Sequence, residues 1–227
     1  MFFRFLFVLC LVLPNVSALH AGEAIVVQLN TRTFYAGEDF RGRDSEDKFL
    51  PLNRLDWLDE LLKELPVLDR TVIHIDQLNM DSDFLWSPTG PSGWYSNSDS
   101  VPEHLRLPGY TVNTGEGGGF RLLYLTPNSS QKQYALGCSA EKESETYEYC
   151  VLRARYPLDP RIIVKTRIYD PPPMDQLDTY FKEVAELTVS IALCLDITEQ
   201  LEKDAKQTVR EHLAKAYATR CDGRLSS

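Results

Sequence analysis

Polar and apolar positions between Phe120 and Tyr169 fall into four short runs separated by turn-forming residues. The runs are Phe120–Thr126, Gln133–Ser139, Tyr147–Tyr156 and Arg161–Tyr169. They are rich in Tyr, Leu, Ile and Val, which suit a pleated, half-buried surface. Between them stand Pro127-Asn128-Ser129-Ser130, a charged loop from Ala140 to Thr146, and Pro157-Leu158-Asp159-Pro160. Proline presets φ at such places, while Asn, Asp and Ser bond their own backbone. Three short connections in succession predict a four-strand antiparallel meander over residues 120–169.

The last two runs fix a register. A period of two puts Cys150, Leu152 and Ala154 on one face of the third strand and Ile162, Val164 and Ile168 on one face of the fourth. The two sets share a face only if the turn between them is odd in length, as Pro157 to Asp159 would be. A slip of one residue would carry arginines into the core. The opposite face then collects Arg153, Arg155, Arg161, Lys165 and Arg167. Cys138 and Cys150 lie symmetrically about Ser144, so they oppose each other across the second hairpin. A Cys138–Cys150 disulfide is expected there, with Tyr134, Leu136 and Cys138 joining the inward face.

Upstream, the apolar run Ala24–Asn30 predicts a buried strand, and the polar segment from Thr31 to Lys48 a loop. Leu55, Leu58, Leu62 and Leu65, beside Trp57 and Leu61, mark a helix over 51–65, with Asn53 as a plausible cap and Pro66 as its stop. Thr71–Leu78 is the next strand. Strand, helix and strand in that order permit a parallel βαβ unit. Residues 79–119 carry many Pro, Ser and Gly and predict a long irregular segment, yet Trp86, Trp94, Tyr95 and Tyr110 argue that most of it folds against something. Downstream, Pro171-Pro172-Pro173 ends the sheet and Asp175 starts a helix. Leu177, Phe181, Val184, Thr188, Ile191 and Leu195 are its inward stripe. A narrower stripe predicts a second, more exposed helix from Thr198 to Ala218, within a C-terminal segment and tail over 198–227.

Charge and cysteine usage narrow the compartment and the partners. The formal net charge is -9, which argues against a nucleic-acid binder. Met1–Arg4 carries a cation, Phe5–Leu13 is an unbroken apolar run, and Val16-Ser17-Ala18 is a small-residue pattern. Residues 1–18 therefore read as an export signal that takes Cys10 with it, leaving 19–227 as one exported domain. No later apolar run is long enough for a membrane helix. Four cysteines in an oxidising space default to disulfides, and the compartment read is secreted or periplasmic. A bond between Cys194 and Cys221 fits poorly, because a straight helix of about 20 residues would hold them about 30 Å apart. Asn128-Ser129-Ser130 is also a glycosylation sequon.

Motifs for chemistry are sparse. There is no Gly-x-Ser-x-Gly elbow, no phosphate loop, no His-Glu-x-x-His and no paired Cys-x-x-Cys, so no cofactor or metal is expected. The run Gly115–Gly119 lacks the spacing of a dinucleotide turn and reads as flexible loop. His74 and Asp76 point to one side of a strand and form a candidate base-and-orienter pair, or a plain structural hydrogen bond. Asp81-Ser82-Asp83 and Asp99 lack the glycine and closing glutamate of a calcium loop. Trp86, Trp94 and Tyr95, near Asp83, Asn97 and Asp99, form a candidate sugar-stacking platform, or else anchor a long loop to the core. The five cations are either a solvated outer face or a surface for an anionic ligand.

These readings predict an α+β exported protein with a mostly antiparallel sheet covered by a long helix. The leading function is a non-catalytic binding or interaction protein for a protein, saccharide or anionic ligand. The alternatives are an exported hydrolase using His74 and Asp76 with loop acids, and a structural component of an envelope assembly docked through its C-terminal helix.

Overall fold

A computed structural model describes residues 25–37, 48–55, Leu58, Leu62, 65–86, 101–117, 120–128, 133–141 and 143–199. The strands are β1 (Ile25–Leu29), β2 (Arg32–Gly37), β3 (Phe49–Pro51), β4 (Thr71–Gln77), β5 (Tyr110–Gly117), β6 (Phe120–Pro127), β7 (Tyr134–Glu141), β8 (Tyr149–Arg155) and β9 (Ile162–Tyr169). The helix Leu177–Leu195 is α1. Strands β3 to β9 make one seven-stranded sheet in the order β3-β4-β9-β8-β7-β6-β5, and β1-β2 is a separate hairpin. Every neighbouring pair is antiparallel.

The register between β7, β8 and β9 follows the hydrophobic pattern. Cys138 faces Cys150 and Leu136 faces Leu152. Cys150 then faces Ile168, and Ala154 faces Val164. All of these side chains are buried. The β8–β9 turn is two residues longer than Pro157 to Asp159, since Arg155 pairs with Ile163 and Tyr156 N–H bonds the Ile162 carbonyl. Two extra residues keep the parity, so the faces are unchanged. Cys138 and Cys150 are joined by a disulfide.

The inner face is closed by α1. Leu177, Phe181, Val184, Thr188, Ile191 and Leu195 are buried, at the alternating four- and three-residue steps that keep one helical stripe on the sheet. Leu50, Ile73, Ile75, Leu123, Leu125, Leu136, Leu152, Val164 and Phe181 belong to one continuous core.

The β1–β2 hairpin seals the end of this core through two buried aspartates. Asn30, at φ 50°, closes a two-residue turn between Leu29 and Arg32. Asp159 Oδ2 accepts from Asn30 Nδ2 at 2.8 Å and from Thr31 Oγ1 at 2.7 Å. Just past α1, Asp196 Oδ2 accepts from Arg32 Nε at 2.7 Å and from the Tyr156 hydroxyl. Its Oδ1 accepts from Thr198 Oγ1 at 2.7 Å and Thr198 N–H at 3.0 Å. Burial alone would raise the Asp196 pKa, but the donors from Arg32, Tyr156 and Thr198 outweigh it and hold the carboxyl below its usual value.

Several sequence expectations need correction. The meander has five strands rather than four, because part of the segment read as irregular forms β5 beside β6. The βαβ unit is absent among the described residues. Residues 32–37, read as loop, turn straight back on β1 as β2, and β4 pairs antiparallel with both β3 and β9. Asn53 is not a helix cap. Its side chain sits in the turn Leu52–Arg54, accepts from Ile73 N–H at 2.7 Å and donates to the Thr71 carbonyl at 3.3 Å, tying that turn to β4. Asp175 does not begin α1, whose first helical residue is Leu177. The helix expected over 51–65 does not start at Pro51, which belongs to β3, and Leu55 and Leu65 are not helical; Leu58 and Leu62 are helical and buried as expected. Residues 1–24, Trp57 and Leu61 lie outside the described residues, as do residues 200–227, where a second C-terminal helix is expected from the sequence.

Candidate functional site

The outer face of the sheet carries the chemistry. Residues there are fixed by the same alternation that buries the inner face, so each is an immediate neighbour of a core residue in sequence. On β4 they are Val72, His74 and Asp76. On β9 they are Ile163, Lys165, Arg167 and Tyr169. On β8 they are Tyr149, Val151, Arg153 and Arg155. Pairing across the strands puts His74 beside Lys165 and Lys165 beside Arg153, with Arg167 beside Val72 and Val151. The structure therefore brings together two groups that the sequence left apart: the cationic set on β8–β9 and the His74/Asp76 pair on β4.

One end of this face is capped. The turn Ser82–Trp86 folds over it, and Leu85 and Trp86 form a second, small core with Tyr124, Ala135 and Ile163. The cap is stitched down by backbone bonds from Leu78 to the Arg161 carbonyl and from Ser82 to the Pro160 carbonyl. The Trp86 indole N–H donates to the Tyr134 carbonyl at 3.2 Å, and the Tyr124 hydroxyl donates to the Leu85 carbonyl. Trp86 is thus an anchor, 8 % exposed, and not part of a sugar platform. Arg155 belongs to the cap as well. Its guanidinium lies 4.6 Å from the Trp86 ring and pairs with Asp83. Arg155 is thereby engaged by the cap, with Asp83 as its partner. Arg161 is exposed in the β8–β9 turn beyond the cap. Trp94, Tyr95, Asn97 and Asp99 lie outside the described residues.

The rest of the face is half open. Lys165 Nζ reaches Asp76 Oδ2 at 3.6 Å, and His74 Nδ1 lies 4.0 Å from Asp76 Oδ1. The second distance is too long for a hydrogen bond. The His74 ring instead stacks on Phe49, with centroids 5.5 Å apart. Burial lowers the His74 pKa; Asp76 opposes this, and Arg167, Lys165 and Arg54 reinforce it. The ring is accordingly neutral at neutral pH. Asp76 Oδ1 is buried and accepts no hydrogen bond among the described residues. Arg153 makes only a long bond, 3.4 Å, to the Val151 carbonyl. Neither Arg153 nor Arg167 enters an ion pair among the described residues.

Tyr149 and Tyr169 close the far end, opposite each other on β8 and β9. They were missed as site residues, although period two already places them on the cationic face. Beyond Tyr169, an open groove of about 610 Å³ runs between Pro66, Arg70, Asp170, Tyr180 and Glu183. It does not include His74.

Of the cysteines, Cys138 and Cys150 lie on the inner face away from these groups. Cys194 is also disulfide-bonded, while Cys221 lies outside the described residues. Among the described residues no helix is long and apolar enough to cross a membrane. The chain matches no protein-family model, no curated protein and no solved structure.

Proposed function

We propose that this is an exported binding protein that holds an anionic ligand on the open part of its outer sheet face. One observation carries the reading. Arg153 and Arg167 are held on neighbouring strands of one sheet face as a diagonal pair, half-buried, with no carboxylate paired to either among the described residues. On a chain with a net charge of -9, these clustered cations stand out as a local surplus of positive charge that attracts an anion. Guanidinium forks suit carboxylate, phosphate or sulfate oxygens, and Lys165 adds a third cation beside them. Export is supported by the charged, apolar and small-residue order of the first 18 residues and by the Cys138–Cys150 disulfide, which fits an oxidising compartment. The hydrolytic alternative needs Asp76 to orient His74, and the 4.0 Å separation with the ring stacked on Phe49 favours binding over that reading.

The test is binding of inorganic phosphate and of galacturonate at low ionic strength to the wild type and to Arg153→Glu/Arg167→Glu. The expected result is binding by the wild type and a loss of about tenfold or more in the double variant, with thermal stability kept. Equal binding by both proteins would remove this face as the site.

A further inference from the structure

We propose that Tyr149, Tyr169, Arg153 and Arg167 form a subsite for an acidic saccharide, a uronate-bearing glycan whose ring stacks on the tyrosines while its carboxylates meet the guanidinium groups. This rests on the anionic-ligand reading and adds the ligand's class.

Tyr149 and Tyr169 pair across β8 and β9. Their ring centroids are 5.2 Å apart and the planes are tilted by 48°. Tyr169 is 44 % exposed, an aromatic ring left in solvent at the end of the cationic strip. The Tyr149 phenol feels the positive charge of both Arg167 and Arg153, so rings and cations share one neighbourhood. A bare inorganic anion has no use for the rings, and a neutral sugar has none for the cations. A sugar acid uses both, because its ring has an apolar face and its carboxylate accepts two parallel bonds from a guanidinium.

The spacing and the boundaries fit a short chain of such rings. Alternate residues on β9 are about 7 Å apart, so Tyr169, Arg167 and Lys165 present a ring and then two charges in line. Arg153 lies across from Lys165. The strip is bounded at both ends. At one end stands the Ser82–Trp86 cap, where Arg155 is already paired with Asp83. At the other, Tyr169 also forms a wall of the groove, whose remaining lining is acidic with Asp69, Asp170, Asp175 and Glu183 against Arg70. An anionic chain stacked on the tyrosines is repelled from that groove and directed toward Arg167 and Lys165.

The experiment is isothermal titration with a galacturonate oligosaccharide, methyl galacturonate and inorganic phosphate. The proteins are the wild type, Tyr149→Ala/Tyr169→Ala, and Tyr149→Phe/Tyr169→Phe as a variant that keeps the rings and the fold. The wild type should bind the oligosaccharide about tenfold or more tighter than phosphate. The alanine pair should lose that advantage and keep the phosphate affinity, and the phenylalanine pair should retain both. Oligosaccharide binding unchanged in the alanine pair, or a wild type that binds phosphate as tightly as the oligosaccharide, overturns the saccharide assignment and leaves the anion site standing. A wild type that binds none of the three overturns both. Should the alanine pair fail to fold, loss of oligosaccharide binding in the folded phenylalanine pair would equally contradict stacking as the basis of recognition.

Discussion

The two faces of the seven-stranded sheet are built from the same strands, one residue out of step. On β8 and β9 the inner face is Cys150, Leu152, Ala154, Ile162, Val164 and Ile168, all buried under α1. The outer face of the same strands is Tyr149, Val151, Arg153, Arg155, Ile163, Lys165, Arg167 and Tyr169, of which Ile163 and Arg155 pack against the Ser82–Trp86 cap. Stability therefore resides on one side, and the groups available for recognition on the other. A change to one face should leave the property of the other nearly untouched.

The largest test compares neighbours in sequence. Leu152→Ala opens a cavity in the core and should cost about 2–5 kcal/mol in chemical denaturation. Val151→Ala, on the half-open face, should cost well under about 1 kcal/mol. Comparable losses would mean that the faces are not separated as described.

Next in size is the acid dependence of the seal between the hairpin and α1. Asp196→Asn weakens the charge-assisted bonds from Arg32 and Tyr156 and should cost about 2–3 kcal/mol at neutral pH. The folded Asp196 pKa lies below its unfolded value, so the wild-type carboxylate contributes fully above about pH 4 and loses that contribution as pH falls through the folded value. The difference in stability between wild type and variant should shrink below about pH 4. A difference that stays constant into acid would contradict the linkage.

A smaller effect separates two arginines of the outer face. Arg155→Ala loses the Trp86 contact and the Asp83 pair and should cost about 1 kcal/mol of stability. Arg167→Ala should stay within about 0.5 kcal/mol of the wild type and lower anion affinity instead. The reverse pattern would place the site under the cap.

Much of this contrast was legible in the amino-acid order. Cations alternating with Leu, Ile and Val on β8 and β9 fix the parity of their pairing, and Cys138 and Cys150 meet across the hairpin before them. The inward stripe of α1 was equally clear. Strands β2 and β5 were not, because Arg32–Gly37 and Tyr110–Gly117 mix Thr, Asn, Gly and charged residues without a clean alternation. Such strands are specified by the neighbour they pair with rather than by their own pattern. Strand direction was likewise hidden, so the run from β1 to β4 read as a parallel crossover. At the site, the cationic set and the His74/Asp76 pair were each visible, but their juxtaposition depends on β4 lying beside β9, which no local signal states. Arg155 was misassigned for the same reason: its partner Asp83 is 72 residues away in sequence.

The most direct test is a titration of the isotope-labelled protein with inorganic phosphate, followed by the backbone amide resonances. The account predicts shifts concentrated at Val72–Asp76, Val151–Arg153 and Lys165–Tyr169, with α1 and the Ser82–Trp86 cap unmoved. Shifts centred on α1 or on the groove beside Arg70, or no shifts at all, would contradict it.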